Sequence, residues 1–406
     1  MTMMKKNNPE YISVNYMKVL LGSHYFIYFG TLGIFLPYFN LFCRHLGFSG
    51  FEIGLISSVK TAAVVIFPVL WAMAADRFNA RKSILIFCTS MSCLLWLPLF
   101  FTRTFTPLFL VIACQSIFYA PIVSFIEAFA MDILGKEKRK YGNSRVWGSI
   151  AFILLSMGLG KVLTFKPIDI IIPMMLGGMV LQVLLTVKLP PTQSAGNAGI
   201  SSGLSGFRNF FSFNTSMFLF AAFLMLTSHG AYYGFFSIYL ESLGFSTGFI
   251  GFAWGVASVA EIAVMVFSGP LFSRFTLKRI LALSFFAAVI RWFLLFATSS
   301  EIFHNSASTL PPFTLLAGLI LFSQLLHALT YGAFHVSSIL AVDKLSQESG
   351  ATFGQAVNNA VTYGAGMMAG FMLSGMFYDT VHAYLFLASA GCALFGLIVI
   401  FFVIFE

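Results

Sequence analysis

The sequence predicts an all-α membrane protein of twelve transmembrane helices arranged as two pseudo-symmetric six-helix bundles. Three observations carry that expectation. Hydrophobic residues make up 59% of the 406 residues and charged residues only 9%, with a mean hydropathy of +0.90, a balance that suits a surface bathed in lipid. The apolar runs are long enough to cross a bilayer as helices, and they lack the polar–apolar alternation of barrel strands. The chain also contains its own repeat. Trp71-Ala-Met-Ala-Ala-Asp76-Arg77-Phe-Asn-Ala-Arg81-Lys82 returns in outline as Ser268-Gly-Pro-Leu-Phe-Ser273-Arg274-Phe-Thr-Leu-Lys278-Arg279. The same ungapped register sets Leu46-Gly47-Phe48-Ser49 on Leu243-Gly244-Phe245-Ser246, Ile53-Gly54 on Ile250-Gly251, Phe39 on Phe236 and Gly33 on Gly230. Two halves with the same order of helix, basic turn and helix imply one pathway between them.

A helix needs about 20 apolar residues to cross the hydrocarbon. On that ruler the spans fall at about 17–43, 51–76, 82–101, 106–133, 144–163, 168–188, 215–241, 247–273, 279–298, 312–341, 350–377 and 381–405. With a cytoplasmic N-terminus, sixteen Lys and Arg lie on the cytoplasmic side: Lys5, Lys6, Lys18, Arg77, Arg81, Lys82, Lys136, Lys138, Arg139, Lys140, Lys188, Arg208, Arg274, Lys278, Arg279 and Lys344. Only Arg44, Arg103, Lys161 and Lys166 fall on the other side. That contrast obeys the positive-inside rule and puts both termini in the cytoplasm. It also explains the net charge of +9 without nucleic acid. The polar interval 190–212, rich in Ser, Gly, Asn and Thr, reads as a cytoplasmic linker between an N-terminal bundle, 1–189, and a C-terminal bundle, 213–406. No signal-peptide cleavage pattern precedes the first apolar run, which is expected to remain as a span. The five cysteines share no metal-ligand spacing and read as packing residues, so neither a metal nor a cofactor is expected. Tyr363-Gly-Ala-Gly366-Met-Met-Ala-Gly370 is a small-xxx-small pattern, read as packing within the chain rather than a dimer face, and a monomer is expected.

Charges inside the predicted spans need a reason, since each costs about 3 kcal/mol on insertion scales unless paired or wet. They are Lys60, Glu127, Arg145, Glu261 and Arg291. Lys60 sits about 13 Å into its span, close to the midplane, where it either pairs with an acid or faces a cavity that admits an anionic or hydroxylated substrate. Glu127 and Arg145 flank a basic loop and can meet across a helical hairpin, either as a structural salt bridge or as a substrate-binding pair. Glu261, Arg291, His327 and His335 form the set in the second half. The two histidines are eight apart, near two helical turns, so one face can hold both, and two His beside a buried Glu and Arg point to proton handling.

These residues resemble the major facilitator superfamily, in the branch of the phenylpropionate and lactose permeases. Asp76-Arg77-x-x-x-Arg81-Lys82 is similar to the superfamily's signature loop, with Ala72 and Asn79 where glycine is usual. Arg274, Lys278 and Arg279 hold the corresponding gating positions in the second copy. Glu127, and eighteen residues on Arg145 inside Tyr141-Gly142-x-x-Arg145-x-Trp147-Gly148, resemble the sugar-binding pair of the lactose permease. Phe152 stands where that permease has a stacking tryptophan. His229-Gly-Ala-Tyr232-Tyr233-Gly-Phe, Val259-Ala-Glu261, Val289-Ile-Arg291-Trp292 and Gln324-Leu-Leu-His327 look closest to the phenylpropionate permease. Thr330 replaces the lactose permease's proton-carrying glutamate, which leaves Glu261 as the candidate.

The resemblance implies a secondary transporter of a bacterial inner membrane that couples a small organic solute to protons by alternating access. The expected substrate-binding residues are Lys60, Glu127, Arg145, Phe152, Tyr232 and Tyr233. The expected coupling residues are Glu261, Arg291, His327 and His335. Three basic groups against two acids, with Tyr25, Tyr28 and Tyr119 nearby, favour an aromatic or aliphatic carboxylate as cargo. A sugar or nucleoside is the alternative cargo, and a non-transporting receptor the alternative class. An enzyme is not expected: no HExxH, Walker loop or GxSxG element is present.

Overall fold

The structure, a computed structural model, describes residues 9–135, 141–190, 210–299, 313–346 and 351–405. The expected basic residues Lys5, Lys6, Lys136, Lys138, Arg139, Lys140 and Arg208, and nearly all of the linker, lie outside the described residues. Among the described residues, twelve helices are long and apolar enough to span a membrane: α1 (Tyr16–His45), α2 (Gly50–Arg77), α3 (Arg81–Phe100), α4 (Phe105–Leu134), α5 (Tyr141–Leu163), α6 (Ile168–Val187), α7 (Phe213–Ser242), α8 (Thr247–Val264), α9 (Leu277–Ala297), α10 (Phe313–Leu345), α11 (Phe353–Val381) and α12 (Tyr384–Phe402). Large apolar side chains such as Phe395, Ile398, Phe401 and Phe402 are exposed, whereas Arg291, His24 and His229 are wholly buried. That inversion suits lipid as the solvent.

The repeat is visible in backbone geometry. Gly47 and Gly244 both adopt the left-handed conformation, at φ 86° and 84°. At each, the glycine N–H donates to the carbonyl three residues back, Arg44 or Glu241, and the next N–H reaches five back, to Cys43 or Leu240. This closes α1 and α7 in the same way, with glycine at the one position where a Cβ is penalised. Ser49 and Ser246 then open the following helices: the Ser49 hydroxyl accepts from Glu52 N while Glu52 accepts from Ser49 N, a capping box, and the Ser246 hydroxyl accepts from Phe249 N. Gly33 and Gly230 match as well. A Cβ on Gly33 would lie 2.7 Å from the Phe152 carbonyl oxygen, and one on Gly230 would strike Gly370, so α1 crosses α5 as α7 crosses α11, backbone to backbone.

The basic turns differ. Asn79 is left-handed at φ 47°, which accounts for an asparagine where glycine is usual, since Asn tolerates that region better than other side chains. Thr276, its counterpart, has an ordinary φ of −68°.

Four of the expected spans are interrupted. The run expected as one helix over 247–273 is two, ending at Val266 and restarting at Ser268–Arg274. Pro270 sits in the first turn of the second piece, the place in a helix that tolerates its missing N–H. Pro121 splits α4 into Phe105–Tyr119 and Ile122–Leu134. Wide π-helical turns occupy Ala328–Ala333 in α10 and Asn359–Gly366 in α11, a feature that concentrates at functional sites.

Contacts group the chain into two compact units, Met1–Phe39 with Ile66–Ala198 and Asn40–Val65 with Gly199–Glu406. In the first, α3 packs on α4 and α6. Trp96 Nε1 donates to Ile172 O at 3.0 Å, and Gln115 donates to Ser92 at 2.9 Å. In the second, α7 and α9 pack on α12, and α7 packs on α11. This unit also holds the first part of α2: Gly54 would place a Cβ 2.6 Å from Phe371 O, and Asp379 accepts from Arg44 at 2.9 Å and from Gly50 N at 2.6 Å.

Candidate functional site

The densest polar cluster among the described residues lies in the second unit, where α7, α8, α9 and α10 meet. Arg291 of α9 is at its centre and wholly buried. Its Nη1 donates to His327 Nδ1 at 2.8 Å and to Thr330 Oγ1 at 3.3 Å, and Nη2 donates to Gln324 Oε1 at 3.3 Å. The same Gln324 oxygen accepts from Tyr232 Oη at 2.9 Å. The guanidinium carbon lies 4.1 Å from the Tyr232 ring centroid and 4.6 Å from that of Trp292, so two aromatic faces cover a charge that lipid would exclude.

His327 is set by this contact. Arginine has donors only, so the bond from Arg291 requires His327 Nδ1 to be unprotonated, which leaves the imidazole neutral with its hydrogen on Nε2. That Nε2 faces Tyr233 Oη at 3.5 Å and Glu261 Oε2 at 3.9 Å. A shift of about 1 Å would turn the second into a hydrogen bond. Glu261 of α8 packs beside Gly332 of α10, where even a Cβ would make only ordinary van der Waals contact with Glu261 Cγ, at 3.4 Å. The imidazole thus bridges Glu261 on one side and Arg291 on the other.

His335 belongs to a neighbouring group. Its Nδ1 pairs with Tyr363 Oη at 2.5 Å, and its ring lies parallel to Tyr331 at 6.4 Å, which in turn stacks on His327 at 5.3 Å. The two histidines therefore share a face as their spacing suggests, but a tyrosine separates them, and His335 takes its hydrogen bond outside the Arg291 cluster. Gln324, Tyr331 and His229 in the cluster, and Tyr363 in the neighbouring group, are residues that sequence reasoning left without a role. Helical spacing held the signal for two of them: Gln324 precedes His327 by three, and Tyr331 is four from each histidine.

In the first unit the expected pair stays apart. The Arg145 guanidinium lies 3.7 Å over the Phe29 ring and 5.7 Å from that of Tyr25, in a space left by Gly148, where a Cβ would come within 3.0 Å of Arg145 Nη1. Glu127 is exposed and accepts from Tyr141 Oη at 3.4 Å. Tyr141 meets Tyr25 edge-on at 6.0 Å, so an aromatic wall links the two charges in place of an ion pair. Phe152 lends its backbone to the crossing with α1 and keeps a half-buried ring. Lys60, half-buried midway along α2, belongs to the second unit.

The basic turns also take different partners. Arg81 pairs with Asp132 at 2.6 Å and is 12% exposed. Beside it a cleft of about 130 Å³ is lined by Pro68, Asp76, Arg81 and Phe125. Arg77 is exposed, Lys82 half-buried. In the second copy Lys278 donates to the carbonyls of Phe401 at 2.8 Å and Val403 at 2.9 Å, closing the end of α12, while Arg274 is exposed and Arg279 likewise.

Twelve membrane-length helices in a two-fold repeat, with a charged cluster held inside an apolar bundle, define a polytopic transporter. The chain belongs to the MFS_1 like family, which it matches over residues 19–388. It is 28% identical over 362 residues to the "Probable 3-phenylpropionic acid transporter" of Escherichia coli (strain K12), covering 88% of this chain and 90% of that one. It is 24% identical over 351 residues to the nucleoside permease NupG of the same organism, covering 81% of this chain and 80% of that one. A crystal structure of the nucleoside transporter NupG superposes with a TM-score of 0.80 at 20% identity, over 95% of this chain and 98% of that one. The chain is thus an integral, multi-pass membrane transporter of a small molecule, not an enzyme, and the receptor alternative is set aside.

Proposed function

We propose that the chain is a proton-coupled symporter of a small organic acid, an aromatic or aliphatic carboxylate, working by alternating access between an N-terminal and a C-terminal bundle. The observation that carries this reading is the array Arg291–His327–Glu261, in which a neutral imidazole links a permanent buried cation to a carboxylate that can gain or lose a proton. Glu261, Arg291, His327 and His335 couple the proton; Lys60, Glu127, Arg145, Phe152, Tyr232 and Tyr233 meet the solute. The name of the phenylpropionic acid transporter supports an aromatic acid. A nucleoside is the second reading, supported by the likeness to NupG. The protein acts as a monomer in a bacterial inner membrane, with the ends of α2, α4, α6, α8 and α10 and both termini in the cytoplasm, the side on which sixteen of the 23 Lys and Arg then lie.

Vesicles reconstituted with the protein test this. An inward proton gradient is expected to drive accumulation of labelled 3-phenylpropionate, and uridine is expected not to compete. Accumulation of uridine with no uptake of the acid would transfer the reading to nucleosides, and indifference to the proton gradient would remove the coupling.

Arg145→Lys keeps the charge but loses the planar guanidinium that stacks on Phe29. Affinity for the acid is expected to fall about tenfold, read by titration of the folded, purified variant. Wild-type affinity would take Arg145 out of the binding site.

A further inference from the structure

The guanidinium of Arg291 carries a donor that no group of the protein satisfies. Of its five N–H hydrogens, three serve His327, Thr330 and Gln324. Nε is buried and has no hydrogen-bond partner, and beside it Nη2 makes a single bond, at 3.3 Å. Nε–H and the adjacent Nη2 form the side edge of the guanidinium, the fork that can donate to both oxygens of a carboxylate. Every hydrogen-bond partner that Arg291 does have is neutral: an imidazole nitrogen, a hydroxyl and an amide oxygen. The Tyr232 and Trp292 ring centroids lie 4.1 and 4.6 Å from its central carbon, and the edge carrying the unpartnered Nε is the side on which an anion can bind.

We propose that Arg291 is the anchor for the carboxylate of the transported acid, held side-on by Nε and Nη2; this rests on the reading of the cargo as an organic acid. The neighbouring rings suit the rest of such a molecule. Tyr233 and Tyr331 lie beside His327, at 6.2 and 5.3 Å between centroids, and Trp254 lies 6.0 Å from Tyr233, so that the three offer faces and edges to an aryl group. Because the edge is enclosed here, the acid reaches it in a more open arrangement of α7, α9 and α10.

Charge balance then couples acid and proton one to one. With the fork empty, Arg291 is balanced by ionised Glu261 across the His327 ring. When the acid enters, its carboxylate becomes the counter-ion of Arg291, and a proton taken by Glu261 restores neutrality. The two mixed states, two carboxylates with one cation or a cation with none, carry an uncompensated charge inside the span and are disfavoured. Proton and anion therefore enter and leave together.

The test compares 3-phenylpropionate with its neutral isostere 3-phenylpropan-1-ol on the full chain in lipid nanodiscs. Wild type is expected to bind the acid at least about tenfold more tightly than the alcohol, with acid affinity rising as pH falls. In Arg291→Lys, which keeps the charge but loses the fork, the acid-to-alcohol preference is expected to drop to about one. In Glu261→Gln the acid still binds and the pH dependence disappears. A wild-type protein that binds acid and alcohol alike overturns the proposal, as does a folded Arg291→Lys with undiminished preference. Should Arg291→Lys fail to fold, the wild-type comparison and the Glu261→Gln pH profile still decide. Loss of the anchor assignment alone would leave proton-driven uptake of the acid in vesicles intact, whereas binding of uridine and not of the acid would overturn the cargo and the anchor together.

Discussion

Gly370→Val is expected to leave little folded protein. A Cβ on Gly370 would lie 2.5 Å from the carbonyl oxygen of Thr227 and 2.9 Å from Gly230 Cα. Both are backbone atoms of α7 and cannot swing aside. One turn earlier Gly366 makes the same kind of approach, 2.7 Å from the Phe223 carbonyl oxygen, and its own carbonyl accepts a bond from Thr227 Oγ1 at 3.1 Å. Between helices in lipid there is no hydrophobic drive to association, so close backbone packing of this kind is a main source of stability. A branched side chain must push α11 off α7 and break those contacts together. Overpacking in a dense core costs roughly 1–3 kcal/mol, and here the strain spreads along a whole crossing, so the loss is expected at the top of that range or beyond. The melting point and the monodisperse yield after detergent extraction report it. Gly391→Ala is the control, because nothing lies within 4 Å of a Cβ there and alanine favours the helix. A Gly370→Val protein that melts with the wild type would show that α7 and α11 do not cross at this point.

Glu261→Gln is expected to uncouple transport without abolishing it. In the arrangement seen here His327 cannot take a second proton while Arg291 donates to its Nδ1, so proton uptake falls to the carboxylate that its Nε2 faces. Glutamine has the shape of the protonated acid and cannot release a proton. The variant should bind solute and exchange labelled for unlabelled solute across the vesicle membrane. It should not concentrate solute: a gradient of one pH unit, worth about 1.4 kcal/mol, sustains about a tenfold ratio in a one-proton symporter, and that ratio should fall to about one. Full proton-driven accumulation by the variant would move the coupling to the histidines or to Glu127.

The sequence by itself determined the number, type and order of the elements. Helix in a bilayer follows from apolar length, because every backbone group must be satisfied within the segment, and the repeat at Gly47 and Gly244 or Gly33 and Gly230 is legible because those positions admit no side chain. The residues that would do the chemistry were also legible, since a charge inside an apolar run is conspicuous at any register. Partnership was decided only by tertiary structure. Glu127 and Arg145, paired by their spacing, take separate contacts, Glu127 with Tyr141 and Arg145 with Phe29 and Tyr25. Glu261 and Arg291, expected in one set with two histidines, are linked through one of them, His327. Lys278 and Arg81, equivalent basic turns in outline, bind a helix end and an aspartate respectively. The physical reason is range. Span length and glycine at a crossing are local properties written along one helix, whereas which atoms touch depends on the rotation of each helix about its axis and on π-helical turns such as Ala328–Ala333, and those are settled only when the whole bundle packs.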